Sequence, residues 1–187
     1  MRIDADHWLV DAIRCPSPNC DQRRDPDDIT LLVIHNISLP PGQFGGAHVQ
    51  QLFTNCLDCS AHPAFADLEG VAVSSHLFVD RRGVVTQFVA FDQRAWHAGV
   101  SSFRGVSSCN DYAIGIELEG ADDIPYDDAQ YAALCELVVT LLHRYQRLSL
   151  DAIAGHLEIA PQRKTDPGPA FDWPRLYREC YRRIGTG

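Results

Sequence analysis

The apolar positions of the chain first indicate a buried central strand. A continuous run of apolar, partly β-branched residues extends from Ile29 to Ile34, which is typical of a strand covered on both faces. His35 follows at the C-terminal end of this run. The polar, proline-rich stretch 15–28 before the run predicts a loop, and residues 47–55 after it predict a short helix.

The middle of the chain predicts three more strands. Residues 72–91 predict two strands joined by a turn at Arg82-Gly83. The segment 113–120, AIGIELEG, alternates apolar residues with Gly115, Glu117 and Glu119. Because successive side chains of a strand point to opposite faces, the two carboxylates share one face.

Two helices are predicted in the C-terminal third. Apolar residues that recur at the spacing of one helix face predict a helix over 127–145, and Asp127 with Gln130 resembles a capping box at its start. A second helix is predicted over 173–184, with Asp172 as its N-cap. Strands mixed with helices in this way predict a single α/β domain over residues 1–187, with a central mixed β-sheet flanked by helices.

Composition narrows the classes of partner. The chain has 187 residues, 45% of them hydrophobic, which is enough for one core and too little for two ordinary domains. Its formal net charge of -9 argues against nucleic acid and against an anionic membrane surface, because both require a basic face. No stretch approaches the roughly 20 apolar residues of a membrane helix, and no signal-peptide pattern opens the sequence. We therefore expect a cytoplasmic monomer.

The cysteines do not predict a site. Seven cysteines, an odd number in a chain without an export signal, indicate reduced thiols. Cys56 and Cys59 form a C-x-x-C pair, but no second pair of matching spacing accompanies it. We expect this pair to be a chance occurrence.

Candidate chemistry is concentrated in residues 155–173, GHLEIAPQRKTDPGPAFDW. Here His156, Lys164 and Asp166 stand among three prolines, which predict a stiff loop rather than a helix. A metal site needs such fixed geometry, and catalytic zinc usually takes three protein ligands from His, Asp, Glu or Cys. His156 and Asp166 supply two candidates, and His35 at the end of a buried strand is well placed to supply the third.

The residues alone leave other roles open. A histidine that ends a strand is more often a structural residue than a ligand, and an aspartate before proline is often a turn residue. His76 and His97 compete as candidates. Trp96 could form the wall of a binding cleft or belong to the core. Glu117 could act as a general base or form a structural ion pair.

Four stretches together resemble the zinc amidases of peptidoglycan, namely VIHNISLPPGQFG, AWHAGVS, CNDYAIGIELEG and GHLEIAPQRKTDPGPAFDW. Within that family they are similar to the cytoplasmic anhydro-N-acetylmuramoyl-L-alanine amidases of the AmpD type. The resemblance implies the mixed sheet shared with phage amidases and peptidoglycan-recognition proteins. It also implies zinc-dependent hydrolysis of the amide between anhydro-N-acetylmuramic acid and L-alanine of a muropeptide. In cell-wall recycling, this step lowers the signal that induces chromosomal β-lactamase.

The resemblance also assigns roles to positions of this chain. It implies that His35, His156 and Asp166 bind Zn²⁺. Glu117 takes the place of the general base, and Lys164 that of the lysine that stabilises the transition state.

Substrate contacts are less sharply implied. Asn36 and Trp96 are expected to line the sugar side of a muropeptide site. Because stem peptides carry several carboxylates, a basic pocket is expected, and its candidates are Arg94, Arg104 and Arg163. Two positions depart from the family pattern: Val106 stands where arginine is usual, and Ser75 where alanine is common. Val106 puts one contact to the peptide carboxylate in doubt.

Three other functions compete with the recycling amidase. A general N-acetylmuramoyl-L-alanine amidase of intact murein usually has an export signal, a wall-binding module or a basic surface. A peptidoglycan-binding module without catalysis typically lacks a metal ligand. A structural zinc domain requires a closed site of four ligands, and the sequence indicates no fourth.

Overall fold

A computed structural model describes residues 1–185 and gives them ten β-strands and four α-helices. The strands are β1 (Ile13–Arg14), β2 (Cys20–Gln22), β3 (Leu31–Ile37), β4 (Leu77–Val79), β5 (Val85–Gln87), β6 (Gln93–Ala95), β7 (Ser102–Phe103), β8 (Val106–Ser107), β9 (Ala113–Glu119) and β10 (Ile153–Gly155). The helices are α1 (His48–Phe53), α2 (Asp128–Arg144), α3 (His156–Ile159) and α4 (Trp173–Ile184).

Six strands form the central sheet in the order β1-β5-β4-β9-β3-β10. β4 and β5 are antiparallel, and the other neighbours are parallel, so the predicted mixed sheet is confirmed. In the register of β3 and β9, His35 lies beside Glu117. Partners on adjacent strands point to the same face, so these two residues are brought together by the sheet itself.

The two faces of the central strands have different chemistry. Most even-numbered residues of β3 and β9 belong to the largest core cluster, together with apolar residues of α2 and α4, and they are Leu32, Ile34, Ile114, Ile116 and Leu118. Odd-numbered residues point to the opposite face, which therefore carries His35, Gly115 and Glu117. The second face is also packed at Leu31, Val33 and Ala113, which belong to a smaller core cluster, and it presents polar groups at His35 and Glu117.

Helix ends follow the predicted signals. The side chain of Gln130 accepts from the backbone N–H of Asp127 at 3.1 Å, which completes the capping box of α2. The Asp172 carboxylate accepts from the N–H of Arg175 at 2.9 Å at the start of α4. No helix within residues 1–185 is long and apolar enough to cross a membrane.

Two local predictions were wrong. The stretch 15–28, predicted as a loop, contains β2, which pairs with β6 in an antiparallel ribbon. The stretch 155–173 is not a loop throughout, because α3 forms one helical turn that starts at His156. The Glu158 carboxylate accepts from the N–H of Gly155 at 2.6 Å and closes this turn. In both cases the element lies between or before the prolines of its stretch, so they do not interrupt it.

Candidate metal and catalytic site

Three side chains from separate elements converge on the face opposite α2. His35 lies on β3, His156 begins α3 directly after β10, and Asp166 lies on the loop that follows α3. The Nδ1 atoms of the two histidines are 2.9 Å apart, and each is 3.1 Å from Oδ2 of Asp166. Both imidazoles are buried. Within residues 1–185, this is the one group of three potential ligands whose donor atoms lie within 4.8 Å of one another.

The hydrogen-bond chemistry of this triangle fits a cation. His156 Nε2 lies 3.2 Å from the carbonyl oxygen of Ala98. A carbonyl only accepts, so a His156 ring with a single hydrogen carries it on Nε2 and has a lone pair on Nδ1. That lone pair faces a carboxylate oxygen of Asp166 with no hydrogen between them. A positive ion between these two acceptor atoms, which are 3.1 Å apart, would stabilise the arrangement. A set of two histidines and one aspartate is a typical ligand set for zinc.

The loop that carries Asp166 is fixed by backbone contacts on both sides. The N–H of Leu157 donates to the carbonyl oxygen of Asp166 at 2.9 Å. The buried Tyr126 hydroxyl donates to the carbonyl oxygen of Pro167 at 2.8 Å. Gly168 has φ +78°, and a Cβ there would lie 2.2 Å from Cα of Asp122. The loop therefore packs directly on the backbone after β9, where only glycine fits.

Burial and mutual contacts set the charges of the cluster. Burial lowers the pKa of His35 to about 4, although its hydrogen bond to Asp166 opposes this shift. For Asp166, burial raises the pKa, but the close contacts with the His156 and His35 imidazoles outweigh it and hold the pKa below its ordinary range. The cluster thus combines a neutral His35 with an ionised carboxylate, which are the protonation states that bind metals.

A cavity of about 340 Å³ opens beside the triangle. Glu117 and Lys164 line it together with His156 and Asp166. Oε2 of Glu117 is buried and has no hydrogen-bond partner among the described residues. Burial raises the pKa of Glu117 well above its usual value, the negative charge of Asp166 adds to this, and Lys164 opposes it.

The rest of the cavity wall combines polar and apolar groups. Asn36 and Trp96 line it, and the Asn36 amide donates to Asp122 Oδ1 at 2.8 Å. Leucine and valine side chains of the opposite wall, among them Leu39 and Val71, provide apolar surface. The seven residues predicted for the site thus lie around one cavity or in the adjoining triangle of His35, His156 and Asp166.

The family model described as N-acetylmuramoyl-L-alanine amidase matches residues 25–169, which include the triangle, Glu117 and Lys164. The chain belongs to this amidase family. The 1,6-anhydro-N-acetylmuramyl-L-alanine amidase AmpD of Enterobacter cloacae is 55% identical over 170 residues, which are 91% of this chain and 90% of that protein. A crystal structure of an AmpD derivative matches with a TM-score of 0.92 and 50% identity, over 96% of this chain and 99% of that one.

A second amidase structure holds a ligand. It is a complex of the amidase AmiD from Escherichia coli with anhydro-N-acetylmuramic acid-L-Ala-D-γ-Glu-L-Lys. It matches with a TM-score of 0.60 and 30% identity, over 81% of this chain and 57% of that one. The resemblance and the fold predicted from the sequence are both confirmed.

The three arginines predicted as candidates for a basic pocket lie away from this cavity and contact other groups of the protein. Arg94 forms ion pairs with Asp21 and Asp111, and Arg104 pairs with Asp151. Arg163 donates to the carbonyl oxygens of Ala98 and Val100 at 2.6 and 2.9 Å. None of the three lines the cavity, where Lys164 is the one basic residue among the described lining groups.

Val106, which departs from the family pattern, also lies away from the triangle of His35, His156 and Asp166. This residue is on β8 and lines a separate cavity with Arg104 and Arg147. In this amidase, it is therefore not a wall residue of the cavity beside His156.

Sequence reasoning missed several residues that support the site of this amidase. Asn110, in the motif C-N-D, accepts from the backbone N–H groups of His97 and Ala98 at 3.2 and 2.8 Å. The buried Arg23 donates to four backbone carbonyl groups, including that of Ala113 at 2.6 Å. A glycine inside a strand, as at 115, is a signal of close approach that could have been used.

Proposed function

We propose that this chain is a zinc-dependent amidase that hydrolyses the amide between anhydro-N-acetylmuramic acid and L-alanine of a muropeptide. The proposal is carried by the triangle of His35, His156 and Asp166 beside a cavity lined by Glu117 and Lys164. The substrate class is supported by the Enterobacter relative named for this activity, and by the AmiD complex with an anhydromuramyl tripeptide.

Two imidazoles and one carboxylate are a typical ligand set of catalytic zinc. We assign His35 Nδ1, His156 Nδ1 and Asp166 Oδ2 as the atoms that would hold Zn²⁺. A zinc ion there supplies Lewis-acid chemistry, because it lowers the pKa of a water at its open position and polarises a carbonyl oxygen.

Glu117 is assigned the proton transfers. It lies beside His35 in the sheet register, and one of its carboxylate oxygens is buried without a partner among the described residues. Burial raises the pKa of Glu117 above its usual value, which makes the carboxylate a stronger proton acceptor. Glu117 would take a proton from the attacking water and deliver it to the nitrogen of the leaving L-alanine.

Lys164 is assigned the stabilisation of the oxyanion that forms on the amide carbonyl. It lies two residues before Asp166, so the loop contacts that fix the ligand also fix the lysine. Removal of one such donor typically lowers the rate by about 100-fold or more. Asn36 and Trp96 would contact the sugar, because both line the cavity and the orientation of Asn36 is fixed by Asp122.

We further propose that residues 1–187 form one domain, since α4 packs in the same core as the central sheet. The substrate is a small muropeptide of the cytoplasm, and neither a membrane nor a nucleic acid is a partner of the acidic monomer. Cleavage would recycle cell-wall fragments and lower the signal that induces chromosomal β-lactamase. These cellular roles rest on the family resemblance.

Mass spectrometry of products would test the substrate. The zinc-loaded protein is offered anhydromuramyl-tripeptide, its non-anhydro counterpart and intact sacculi in parallel. Release of tripeptide from the anhydro substrate alone is expected. Equal cleavage of all three would indicate a general murein amidase, and binding without cleavage would indicate a recognition module.

A further inference from the structure

A third histidine, His97, contacts the triangle at His35 and also lines the cavity. His97 Nδ1 lies 2.9 Å from Nε2 of His35, the ring nitrogen that points away from Asp166. The two rings are nearly perpendicular, at an interplanar angle of 86° and a centroid distance of 5.0 Å. This contact joins residues 62 positions apart in the sequence, so the fold creates it.

The surroundings of His97 fix its ring against the central sheet. A Cβ at Gly115 would lie 2.5 Å from Cγ and 2.6 Å from Nδ1 of His97, so the ring occupies the space that a side chain on β9 would fill. On the other side, Asn110 holds the backbone of His97 and Ala98 by two hydrogen bonds. The Nδ1 atom is therefore held at His35 by contacts with both the sheet and the C-N-D motif.

The position of the hydrogens follows from the ligand role of His35. If Nδ1 of His35 offers a lone pair to a metal, the hydrogen of its neutral ring is on Nε2. Nε2–H is then a donor, and His97 Nδ1 is the acceptor within reach. An outer partner of this kind fixes both the tautomer and the ring orientation of a ligating histidine.

We propose that His97 is a positioning residue of the metal site, which accepts a hydrogen bond from His35 Nε2–H and so directs His35 Nδ1 at His156 and Asp166. The inference rests on the proposed zinc site. It goes beyond the residues assigned above, since His97 binds neither the metal nor a proton of the reaction in this role.

A neighbouring histidine shows how a structural imidazole is placed in this fold. His76 is fully buried, its Nδ1 accepts from the N–H of Gly115 at 3.0 Å, and its Nε2 lies 3.1 Å from the carbonyl oxygen of Gln93. Both its nitrogens are satisfied within the fold. His97 differs, because its Nε2 is buried without a hydrogen-bond partner among residues 1–185. An unsatisfied buried group is costly, so hydrogen bonding of Nε2 does not explain the placement of this ring, whereas Nδ1 contacts His35.

The test compares zinc affinity in three variants by competition with a chromophoric chelator. His97→Leu removes the acceptor, His97→Asn retains an amide oxygen near the position of Nδ1, and His76→Asn is the control for damage to the same region. We expect His97→Leu to weaken zinc binding about 10- to 100-fold. His97→Asn should stay within a few-fold of the parent, and His76→Asn should lose thermal stability but keep zinc affinity.

The outcomes separate this inference from the proposed function. A parent protein that binds no zinc overturns the metal site and the role of His97 with it. A parent that binds zinc, with a folded His97→Leu variant that binds it equally well, overturns the role of His97 alone. Nitrogen-15 NMR of the zinc-loaded parent gives a second readout that needs no variant. It should show the hydrogens of His35 and His97 on Nε2, and a hydrogen on Nδ1 of His97 would contradict the proposal.

Discussion

Substitution of Gly168 by alanine tests how the loop of Asp166 is held. The residue has φ +78°, and its new Cβ would lie 2.2 Å from Cα and 2.4 Å from the carbonyl oxygen of Asp122. A left-handed backbone costs an alanine about 1–2 kcal/mol. The clash is with backbone that cannot rotate away, and overpacking adds about 1–3 kcal/mol. We expect Gly168→Ala to lower the free energy of unfolding by about 2–5 kcal/mol.

Gly105 supplies a matched control for this substitution. It has φ +84°, but a Cβ there would have no heavy atom within 4 Å. Gly105→Ala should therefore lose only the backbone contribution, about 1–2 kcal/mol. Urea unfolding of both variants measures the difference, and chelator competition should show weaker zinc binding in Gly168→Ala alone. Equal losses of stability in the two variants, with equal zinc affinity, would refute the account of the loop.

Three further predictions concern the chemistry and the buried histidines. Glu117→Gln should keep zinc and fold but lose at least about 100-fold in kcat, and near-normal turnover would remove Glu117 as the base. Lys164→Ala should lower kcat by about 100-fold with little change in KM, whereas a raised KM at unchanged kcat would make Lys164 a binding residue. Burial lowers the pKa of His76 well below 6.5, and the positive charge of Arg23 adds to this shift. As the pH falls, His76 is therefore protonated in the unfolded chain before it is protonated in the folded protein. At pH values below 6.5, His76 should lower the free energy of unfolding by up to about 1.4 kcal/mol per pH unit. Denaturant unfolding measures this slope, and a His76→Asn variant with the same slope as the parent would exclude the effect.

Local patterns predicted the elements whose signals are contained within one segment. The buried run ending at His35, the alternation around Glu117 and the apolar face of α2 each carry their own periodicity. The two-residue strand β1 and the ribbon of β2 and β6 do not, because their pairing depends on partners far away in the chain. The proline signals at 15–28 therefore predicted a loop where a strand is found.

Sequence reasoning indicated the site residues that belong to one short motif. It did not indicate contacts between residues that only the folded chain brings together. The stretch GHLEIAPQRKTDPGPAFDW indicated His156, Lys164 and Asp166 directly. The charge of Arg163 suggested a substrate contact, but charge alone does not reveal that two carbonyl oxygens already bind its guanidinium. The contact of His97 with His35 likewise depends on the space left by Gly115, which only the assembled sheet reveals.

Removal and return of zinc tests the central claim most directly. The protein is stripped with a chelator, and release of tripeptide from anhydromuramyl-tripeptide is followed by mass spectrometry as zinc is added back. We expect no release from the stripped protein and full recovery at one zinc ion per chain, with no recovery in Asp166→Ala. Full activity in protein shown to be free of metal would contradict the assignment of His35, His156 and Asp166 as ligands of a catalytic zinc.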